Sequence, residues 1–406
     1  MNTIAEQYVK LVLALGLHDE DYVDAYHGPK EWRADAERER RSLDRIEREA
    51  LRAREGLMTI SMPNEEPDAL RYKYLEAQLS ALIARTAMLK GTRLSFDEES
   101  KALYDAVAPR FSEEHFQAIL KELESLLPGA GSLNDRYLAF KNHFIIQKDD
   151  LDVVFGTAIG ECRDRTKKHI RLPEHEMFTV EYVTNKAWSG YNWFKGDCKS
   201  LIQVNTDLPI YIDRAIDLAA HEGYPGHHVY NSLLEHSLLV KKGWQEFSVY
   251  ALFSPQSLIA EGTANYGIDV VFSKEDRIAF EHDILFNLAK LHAQREAAAR
   301  YYKIHEVFSK LSYAGNEAAR GYLDGTMSRA QAIEWLMQYA LMARDRAEQR
   351  LKFFEKYRSY VINYNVGQDL VKTYIEQTRN AGTDVQKRWS EFAELISSPR
   401  LPSQLV

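Results

Sequence analysis

Cysteine is scarce in this sequence, which holds only Cys162 and Cys198 among its 406 residues. Two cysteines cannot build a disulfide framework, and they are typical of a protein from a reducing compartment. No run approaches the roughly 20 consecutive apolar residues that a membrane-spanning helix needs. The first sixteen residues lack the basic segment and the cleavage site of a secretory signal. These absences predict a cytoplasmic protein with no membrane partner.

The sequence also has fewer basic than acidic residues. Lys and Arg number 52 against 60 Asp and Glu, which gives a formal net charge of -8. A protein that neutralises the phosphate backbone of a nucleic acid usually carries a basic excess. The sequence therefore argues against a nucleic-acid partner.

What the chain has in abundance is apolar residues at helical spacing. Hydrophobic residues make up 45% and charged residues 28%, which is typical of a folded globular protein. In HFQAILKELESLL, residues 115–127, apolar side chains recur every three or four positions and predict a helix that ends before the following Pro-Gly pair. Capping-box patterns at Ser95 with Glu98, and at Ser328 with Gln331, predict two helix starts. The predicted fold class is mainly α.

Two short runs of β-branched and aromatic residues interrupt the helical pattern. Residues 178–183 and 200–205 flank a stretch rich in Gly, Asn and Trp, and they predict a small antiparallel sheet or hairpin. The turn-rich stretch PGAGSLND, residues 128–135, is the best candidate for a boundary. We therefore predict an N-terminal helical part, residues 1–130, and a second helical part that carries the sheet, residues 131–406, within one integrated bilobed unit.

The segment HEGYPGHH, residues 221–228, follows a helical apolar pattern and carries three histidines. In the H-E-x-x-H motif of zinc hydrolases two histidines one helical turn apart bind the same metal ion, but here the spacing is longer. In an unbroken helix, His227 would lie about 120° around the axis and about 9 Å along it from His221. The intervening glycines and proline must therefore break the helix if the two share a metal ion. His228 is closer in angle but about 10.5 Å away along the axis, so His227 is favoured and His228 stays the alternative.

A carboxylate further along the chain would complete a metal site. A catalytic zinc ion takes three protein ligands and keeps a fourth position open for water. Glu261, in the helical pattern SLIAEGTANYG, is the best candidate for the third ligand. Glu222 would then act as the general base that takes a proton from the attacking water and passes it to the leaving amine. The alternatives are that Glu261 is a surface charge and that the histidines form a solvated turn.

These motifs resemble those of the family known as domain of unknown function 885, in which H-E-x-Y-P-G-H-H is followed by E-G-W-A-x-Y. The sequence matches the first block at every fixed position, and it carries the second as EGTANY, residues 261–266. Three further segments are similar to family blocks: residues 202–206, 328–336 and 364–368.

The resemblance implies a bilobed, mostly helical fold with a deep cleft, similar to the gluzincin-type zinc peptidases. It also implies one Zn²⁺ ion held by His221, His227 and Glu261, with Glu222 as the base.

Three positions depart from the family pattern. Thr263 stands where the family has tryptophan, and Ile268 stands where an acidic residue is usual. The segment LDGTM, residues 323–327, is at best a shortened version of the family's D-T-G-x-H block. If the histidine of that block helps to stabilise the transition state in relatives, this chain needs a substitute for it or has altered chemistry.

Four residues are candidates for contact with a substrate. Hydrolysis of an amide needs a donor for the developing oxyanion, and Tyr360 and Tyr364 are candidates for it. Arg358 would clamp a substrate carboxylate, as a carboxypeptidase-like enzyme requires. The strand that ends at Asn205 would pair with an extended substrate backbone.

The predicted function is that of a zinc-dependent metallohydrolase, and specifically of a metallopeptidase that acts on short peptides. One alternative is a metal-dependent amidase that acts on a small metabolite. Another is a non-catalytic protein in which a fourth protein ligand replaces water at a structural zinc site. A His/His/carboxylate set accepts several divalent ions, and the sequence carries no signal for the oligomeric state.

Overall fold

The chain is mainly helical, as predicted. The computed structural model describes residues 1–186 and 188–406, and of these all side chains except those of residues 293 and 295. Within this part the helices are α1 (Asn2–Leu15), α2 (Lys30–Glu39), α3 (Leu43–Met58), α4 (Asp68–Leu89), α5 (Phe96–Tyr104), α6 (Glu113–Leu126), α7 (Leu133–Lys141), α8 (Leu151–Lys167), α9 (Asp213–Leu218), α10 (His227–Leu234), α11 (Pro255–Val271), α12 (Lys274–Phe280), α13 (Phe286–Leu288), α14 (Ala298–Ser309), α15 (Ala314–Leu323), α16 (Arg329–Tyr339), α17 (Arg344–Tyr357), α18 (Ile362–Thr373) and α19 (Val385–Ile396). The strands are β1 (Val23–Tyr26), β2 (Met177–Val183), β3 (Gly190–Gly196), β4 (Lys199–Asn205) and β5 (Val249–Ala251).

The local helix signals of the sequence are confirmed. Helix α6 buries Phe116, Ile119 and Leu123 on one face and ends at Leu126. Both predicted capping boxes are formed, at the starts of α5 and α16, where a serine side chain and the residue three positions later satisfy each other's backbone donors. Among the described residues, none of the helices combines the length and the apolar character that crossing a bilayer requires.

The predicted sheet exists, but its pairing differs from the prediction. Strand β4 is central, with β2 parallel to it on one side and β3 antiparallel on the other. The two predicted runs are therefore parallel to each other, and the antiparallel partner comes from the Gly- and Trp-rich stretch between them. Asp197 and Cys198 have φ values of 56° and 53° and form the two-residue turn that joins β3 to β4, as a tight hairpin requires.

Buried apolar side chains form two clusters. One unites α1–α6 with α15–α17, and the other surrounds the sheet, α8–α10 and α19. Helices α11 and α18 belong to both, since Leu258 and Val366 lie in the first cluster and Tyr266 and Val371 in the second. The N-terminal helices thus share a core with helices near the C-terminus, so the two predicted parts are integrated, and a boundary near residue 130 stays a prediction.

Helices α11 and α18 cross at a point where both carry glycine. A Cβ added at Gly262 would lie 2.4 Å from backbone atoms of Gly367. We expect Gly262→Ala to lower the free energy of unfolding by ~3 kcal/mol, at the upper end of the usual cost of overpacking, because the obstacle is rigid backbone. Urea denaturation followed by circular dichroism measures this change.

The matched control is Gly156→Ala in the interior of α8, where an added Cβ meets nothing within 4 Å. This variant is expected to gain stability by up to about 1 kcal/mol, because alanine favours a helix more than glycine does. Equal stability of the two variants would contradict the close crossing.

Candidate metal centre

The helix that carries His221 is interrupted immediately after it, as the glycines and the proline predict. Helix α9 continues as a π-helical turn, Ala219–Gly223, and α10 begins at His227. The amide of Tyr224 donates to the carbonyl of Ala219 at 2.9 Å. This hydrogen bond joins residues five positions apart, whereas an α-helix joins residues four positions apart. Single π-helical turns of this kind are frequent at functional sites, and here the turn changes the direction of the chain between the two histidines.

Gly226 allows the chain to fold back on itself within this break. Its amide donates to the carbonyl of Ala220 at 2.9 Å. A Cβ at this position would lie 1.9 Å from the carbonyl oxygen of His221. Only glycine fits this close backbone approach, which brings the start of α10 next to His221.

The break brings three predicted ligands together. Nε2 of His221 lies 3.1 Å from Nε2 of His227, and Oε2 of Glu261 lies 3.4 Å from the first and 3.6 Å from the second. Donors on a tetrahedral zinc ion with bonds of about 2.0–2.2 Å are about 3.3–3.6 Å apart. The three atoms therefore have the spacing of three corners of a zinc tetrahedron. All three side chains keep some solvent exposure, from 10% to 15%.

Asn265 fixes the imidazole of His221. It lies one turn after Glu261 on α11, so both side chains are on the same helix face. Its Oδ1 lies 2.9 Å from Nδ1 of His221, while its Nδ2 donates to the carbonyl of Tyr364 at 2.9 Å. This second bond fixes the amide orientation, so Nδ1 of His221 must donate and its Nε2 presents a lone pair. Such outer partners set the tautomer of metal-binding histidines.

The two oxygens of Glu261 have different surroundings. The hydroxyl of Tyr360 donates to Oε1 at 2.9 Å, whereas Oε2 is buried without a hydrogen-bond partner in the described part of the chain. Burial raises the pKa of Glu261, but its interactions with His221 and His227 outweigh burial and hold the pKa well below its usual range. Glu261 is thus an ionised carboxylate with one oxygen free to bind a cation.

The electrostatic field at His227 favours positive charge. Burial alone lowers the pKa of this imidazole, but Glu261, then Glu222 and Asp24, outweigh burial and raise the pKa to about 9. These acidic groups would stabilise a proton or a metal ion at the same point. The residues present therefore fit a divalent cation in charge as well as in spacing.

Glu222 lies on the π-helical turn next to His221, and its side chain belongs to the same group of charges. Its carboxylate interacts electrostatically with His227, Asp24 and Tyr364. A Cβ at Gly190, the first residue of β3, would lie 3.1 Å from Oε1 of Glu222. Strand β3 therefore packs directly against the carboxylate and limits where it can point.

His228, the alternative ligand, points into the protein and away from the three donors. Its ring lies between Oγ of Ser200 at 2.9 Å and Oε2 of Glu176 at 3.0 Å. Glu176 also accepts from the hydroxyl of Tyr224 at 2.6 Å and from Arg163 at 2.6 Å. These residues fasten the broken helix to the sheet and to α8. The geometry therefore favours His227 over His228.

The predicted carboxylate clamp, Arg358, is engaged by a carboxylate of the protein itself, and the structure does not favour the predicted role. Its Nε donates to Oε2 of Glu99 at 2.6 Å. The same carboxylate accepts from the amide and the hydroxyl of Ser359. Arg358 thus neutralises a buried glutamate of α5 and ties the turn before α18 to that helix.

The fold does not favour the predicted pairing of a substrate with the strand at Asn205 either. Both edges of β4 are occupied, by β2 and by β3, so this strand has no free backbone groups to offer. The side chain of Asn205 is buried, and its Nδ2 donates to the carbonyls of Lys186 and Trp188 at 3.0 Å. Asn205 therefore holds its own neighbouring loop in place.

The two predicted oxyanion donors differ in what they contact. The hydroxyl of Tyr360 is committed to Glu261. Tyr364 lies one helical turn later, with its ring centroid 5.8 Å from that of Tyr360, and it is only half-buried. Burial, with the charges of Glu261 and Glu222, raises the pKa of Tyr364 well above its ordinary value. Its phenol therefore keeps its proton and stays able to donate a hydrogen bond.

Three residues of this site carry no clear signal in the sequence, namely Asn265, Asp24 and Tyr191. Asn265 lies within the EGTANY block, but only the fold reveals its contact with His221. Asp24 on β1 interacts with His227, and its carboxylate accepts a hydrogen bond from the hydroxyl of Tyr191 of β3. Burial raises the pKa of Asp24 to about 6, although Tyr191 and His227 act against it. The segment DYVDAYHGP, residues 21–29, is weakly similar to the family pattern, and this is the one signal in the sequence that includes Asp24.

Replacing Asn265 tests the role of the outer contact. Asn265→Ala is expected to weaken zinc binding by about 10–100-fold, the usual effect of losing such a partner, because the His221 ring loses the acceptor that fixes its tautomer. Asn265→Asp retains an acceptor and is expected to keep most of the affinity. Competition with a chromophoric chelator measures both, and equal affinity of the alanine variant and the parent would contradict the role.

Comparisons with known proteins find similarity in the fold alone. No protein-family model matches this chain, and no curated protein matches its sequence. Its fold is similar to that of a candidate lipoprotein from Colwellia psychrerythraea, with a TM-score of 0.55 and 14% sequence identity, over 89% of this chain and 65% of that one. It is also similar to a candidate lipoprotein of unknown function from Shewanella oneidensis, with a TM-score of 0.50 and 15% identity, over 92% of this chain and 75% of that one. The chain thus spans slightly less than two thirds of the Colwellia protein.

Proposed function

We propose that this protein is a zinc-dependent hydrolase that cleaves amide bonds in short peptides. The proposal depends on the convergence of Nε2 of His221, Nε2 of His227 and Oε2 of Glu261 at 3.1 to 3.6 Å from one another. Two histidines and one carboxylate are the ligand set of catalytic zinc sites, which keep a position open for water or substrate. The resemblance of the two sequence blocks to a zinc-peptidase-like family supports the same assignment.

Each proposed role follows from the contacts around the three ligands. When bound, zinc would polarise the substrate carbonyl and make water more acidic. Glu222 would accept the proton of the attacking water and deliver it to the leaving amine. The phenol of Tyr364 would donate a hydrogen bond to the developing oxyanion. Tyr360 and Asn265 hold Glu261 and His221 in position.

The departures from the family pattern do not favour the alternative of a small-metabolite amidase. The hydroxyl of Thr263 donates to the carbonyl of Ile259 at 2.7 Å and is buried within α11. Asp324, in the shortened block, accepts from the amide of Phe96 at 2.7 Å and caps α5. Both positions therefore have structural roles, and peptides remain the first substrate class to test. A cytoplasmic location is part of the same proposal.

Metal content and peptide cleavage together test the proposed function. The purified protein should carry about one zinc ion per chain by elemental analysis, and it should cleave members of a mixed library of short peptides. Chelation should abolish cleavage, and added zinc should restore it. Turnover of small amides without turnover of peptides would favour the amidase. A protein that binds zinc tightly with a fourth side-chain ligand and cleaves neither class would contradict the proposal.

A further inference from the structure

The three donors lie among acidic side chains. Glu261, Glu222 and Asp24 all stabilise positive charge at His227. They would repel a negatively charged group of a substrate, such as the terminal carboxylate of a peptide. A substrate that carries such a group needs a cation on the protein, and Arg358 is already neutralised by Glu99.

Arg350 is connected to the site through a row of aromatic rings. It lies on α17, and its guanidinium carbon is 4.7 Å from the ring centroid of Phe353. The Phe353 ring is 6.4 Å from that of Tyr364, which in turn neighbours Tyr360 at 5.8 Å. Tyr360 donates to Glu261. Arg350 and Tyr364 also interact electrostatically, and the ring of Phe353 neighbours both side chains.

Arg350 is half-buried and, unlike two fully buried arginines, it has no counterion among the described residues. Arg71 pairs with Glu246 at 2.5 Å, and Arg320 pairs with Asp97 at 2.9 Å. By contrast, Nε of Arg350 is buried without a hydrogen-bond acceptor. A partly desolvated guanidinium with one buried, unsatisfied N–H would be stabilised by an anionic partner.

A guanidinium with free donors suits a planar carboxylate. It presents its N–H groups in a rigid fork, which a carboxylate can accept with both oxygens. A lysine could supply the charge but not this geometry. The packing of Arg350 against Phe353 and Phe354 holds the fork on the aromatic side of the site.

We propose that Arg350 binds the free carboxylate of the substrate and so selects peptides, or N-acylated amino acids, whose scissile amide lies close to a carboxyl terminus. This inference rests on the proposed function and names its substrate class. Arg350 takes the role that the sequence suggested for Arg358.

Binding to an inactive protein tests the proposal without turnover. The probes are N-acetyl-Ala-Xaa dipeptides, with Xaa as Ala, Leu, Phe, Lys or Glu, each made with a free carboxylate and with a carboxamide. Isothermal titration calorimetry on the zinc-loaded Glu222→Gln protein should give about 10–100-fold tighter binding of the acids, since a hydrogen bond to a charged group contributes about 1.5–3 kcal/mol. Adding Arg350→Gln should remove this preference, and adding Arg350→Lys should keep part of it.

The matched control is Arg346→Gln, one turn earlier on α17, where the arginine is half-buried and donates to Gln349. This variant should keep the preference for acids. In the active protein, Arg350→Gln should raise KM for acids with little change in kcat, and it should leave carboxamides unaffected. Thermal unfolding of all variants identifies any loss of fold. If Arg350→Gln does not fold, the binding preference of Arg350→Lys is compared with that of the parent instead.

Two outcomes separate this inference from the proposed function. Equal binding of acids and carboxamides, or a preference that survives Arg350→Gln, would overturn the role of Arg350 even if peptides are cleaved. An Arg350-dependent preference for acids in a protein that cleaves nothing would support the carboxylate site and contradict the hydrolase.

Discussion

Replacing Glu222 by glutamine is expected to lower kcat for peptide hydrolysis by about 10²–10⁴-fold, the usual contribution of a general base. Glutamine has the same shape but cannot accept the proton of the attacking water. The carboxylate is held in place between the break in the helix and the start of β3. Zinc content should stay at the parental level, because Glu222 is not one of the three converging donors. Steady-state kinetics and elemental analysis measure the two quantities.

The control for this variant is Glu334→Gln, the same chemical change on the exposed face of α16, where the residue pairs with Arg344. It should leave both kcat and zinc content unchanged. Activity of Glu222→Gln within a few-fold of the parent would exclude Glu222 as the base. A parallel loss of zinc would instead indicate that Glu222 helps to hold the metal ion.

The adjacent histidines are expected to have opposite effects when each is replaced by alanine. His227→Ala should lose the zinc ion and all metal-dependent activity, because only two of the three donors remain. The fold should survive, since the His227 side chain is partly exposed and lies among groups that a metal ion or a proton would bridge.

His228→Ala should retain zinc but lose about 1–3 kcal/mol of stability, because Glu176 and Ser200 each lose a buried partner. Zinc content after gel filtration, with thermal unfolding of the same samples, measures both effects. Loss of zinc in His228→Ala at a temperature where its fold is intact would reverse the assignment of the ligands.

The features that could be predicted are those encoded over short distances. Helix α6, the two capping boxes and the break after His221 each depend on residues within a few positions of one another. Proline and glycine prevent a regular helix whatever surrounds them. The prediction that His227, rather than His228, lies next to His221 followed from the same local reasoning.

The roles that the structure does not favour, and the contacts that the sequence did not indicate, concern residues far apart in the chain. The sequence gives no sign of a partner for Arg358, but the fold places it against Glu99, more than 250 positions earlier. The run that ends at Asn205 reads as a strand, but nothing local indicates that it would be central in its sheet and parallel to β2. The same holds for Asn265, whose partner at His221 is 44 positions away.

The helical class, the broken helix and the residue types able to bind a metal ion follow from local sequence, because backbone preferences and apolar spacing act within a turn or two. Which donors converge and which charges remain free depends on how the whole chain folds. Glu261 reaches the histidines because α11 packs against the broken helix, and glycine in both α11 and α18 lets Tyr360 reach Glu261. Whether an arginine is paired depends on which carboxylate the folded chain brings beside it, and that distinguishes Arg350 from Arg358.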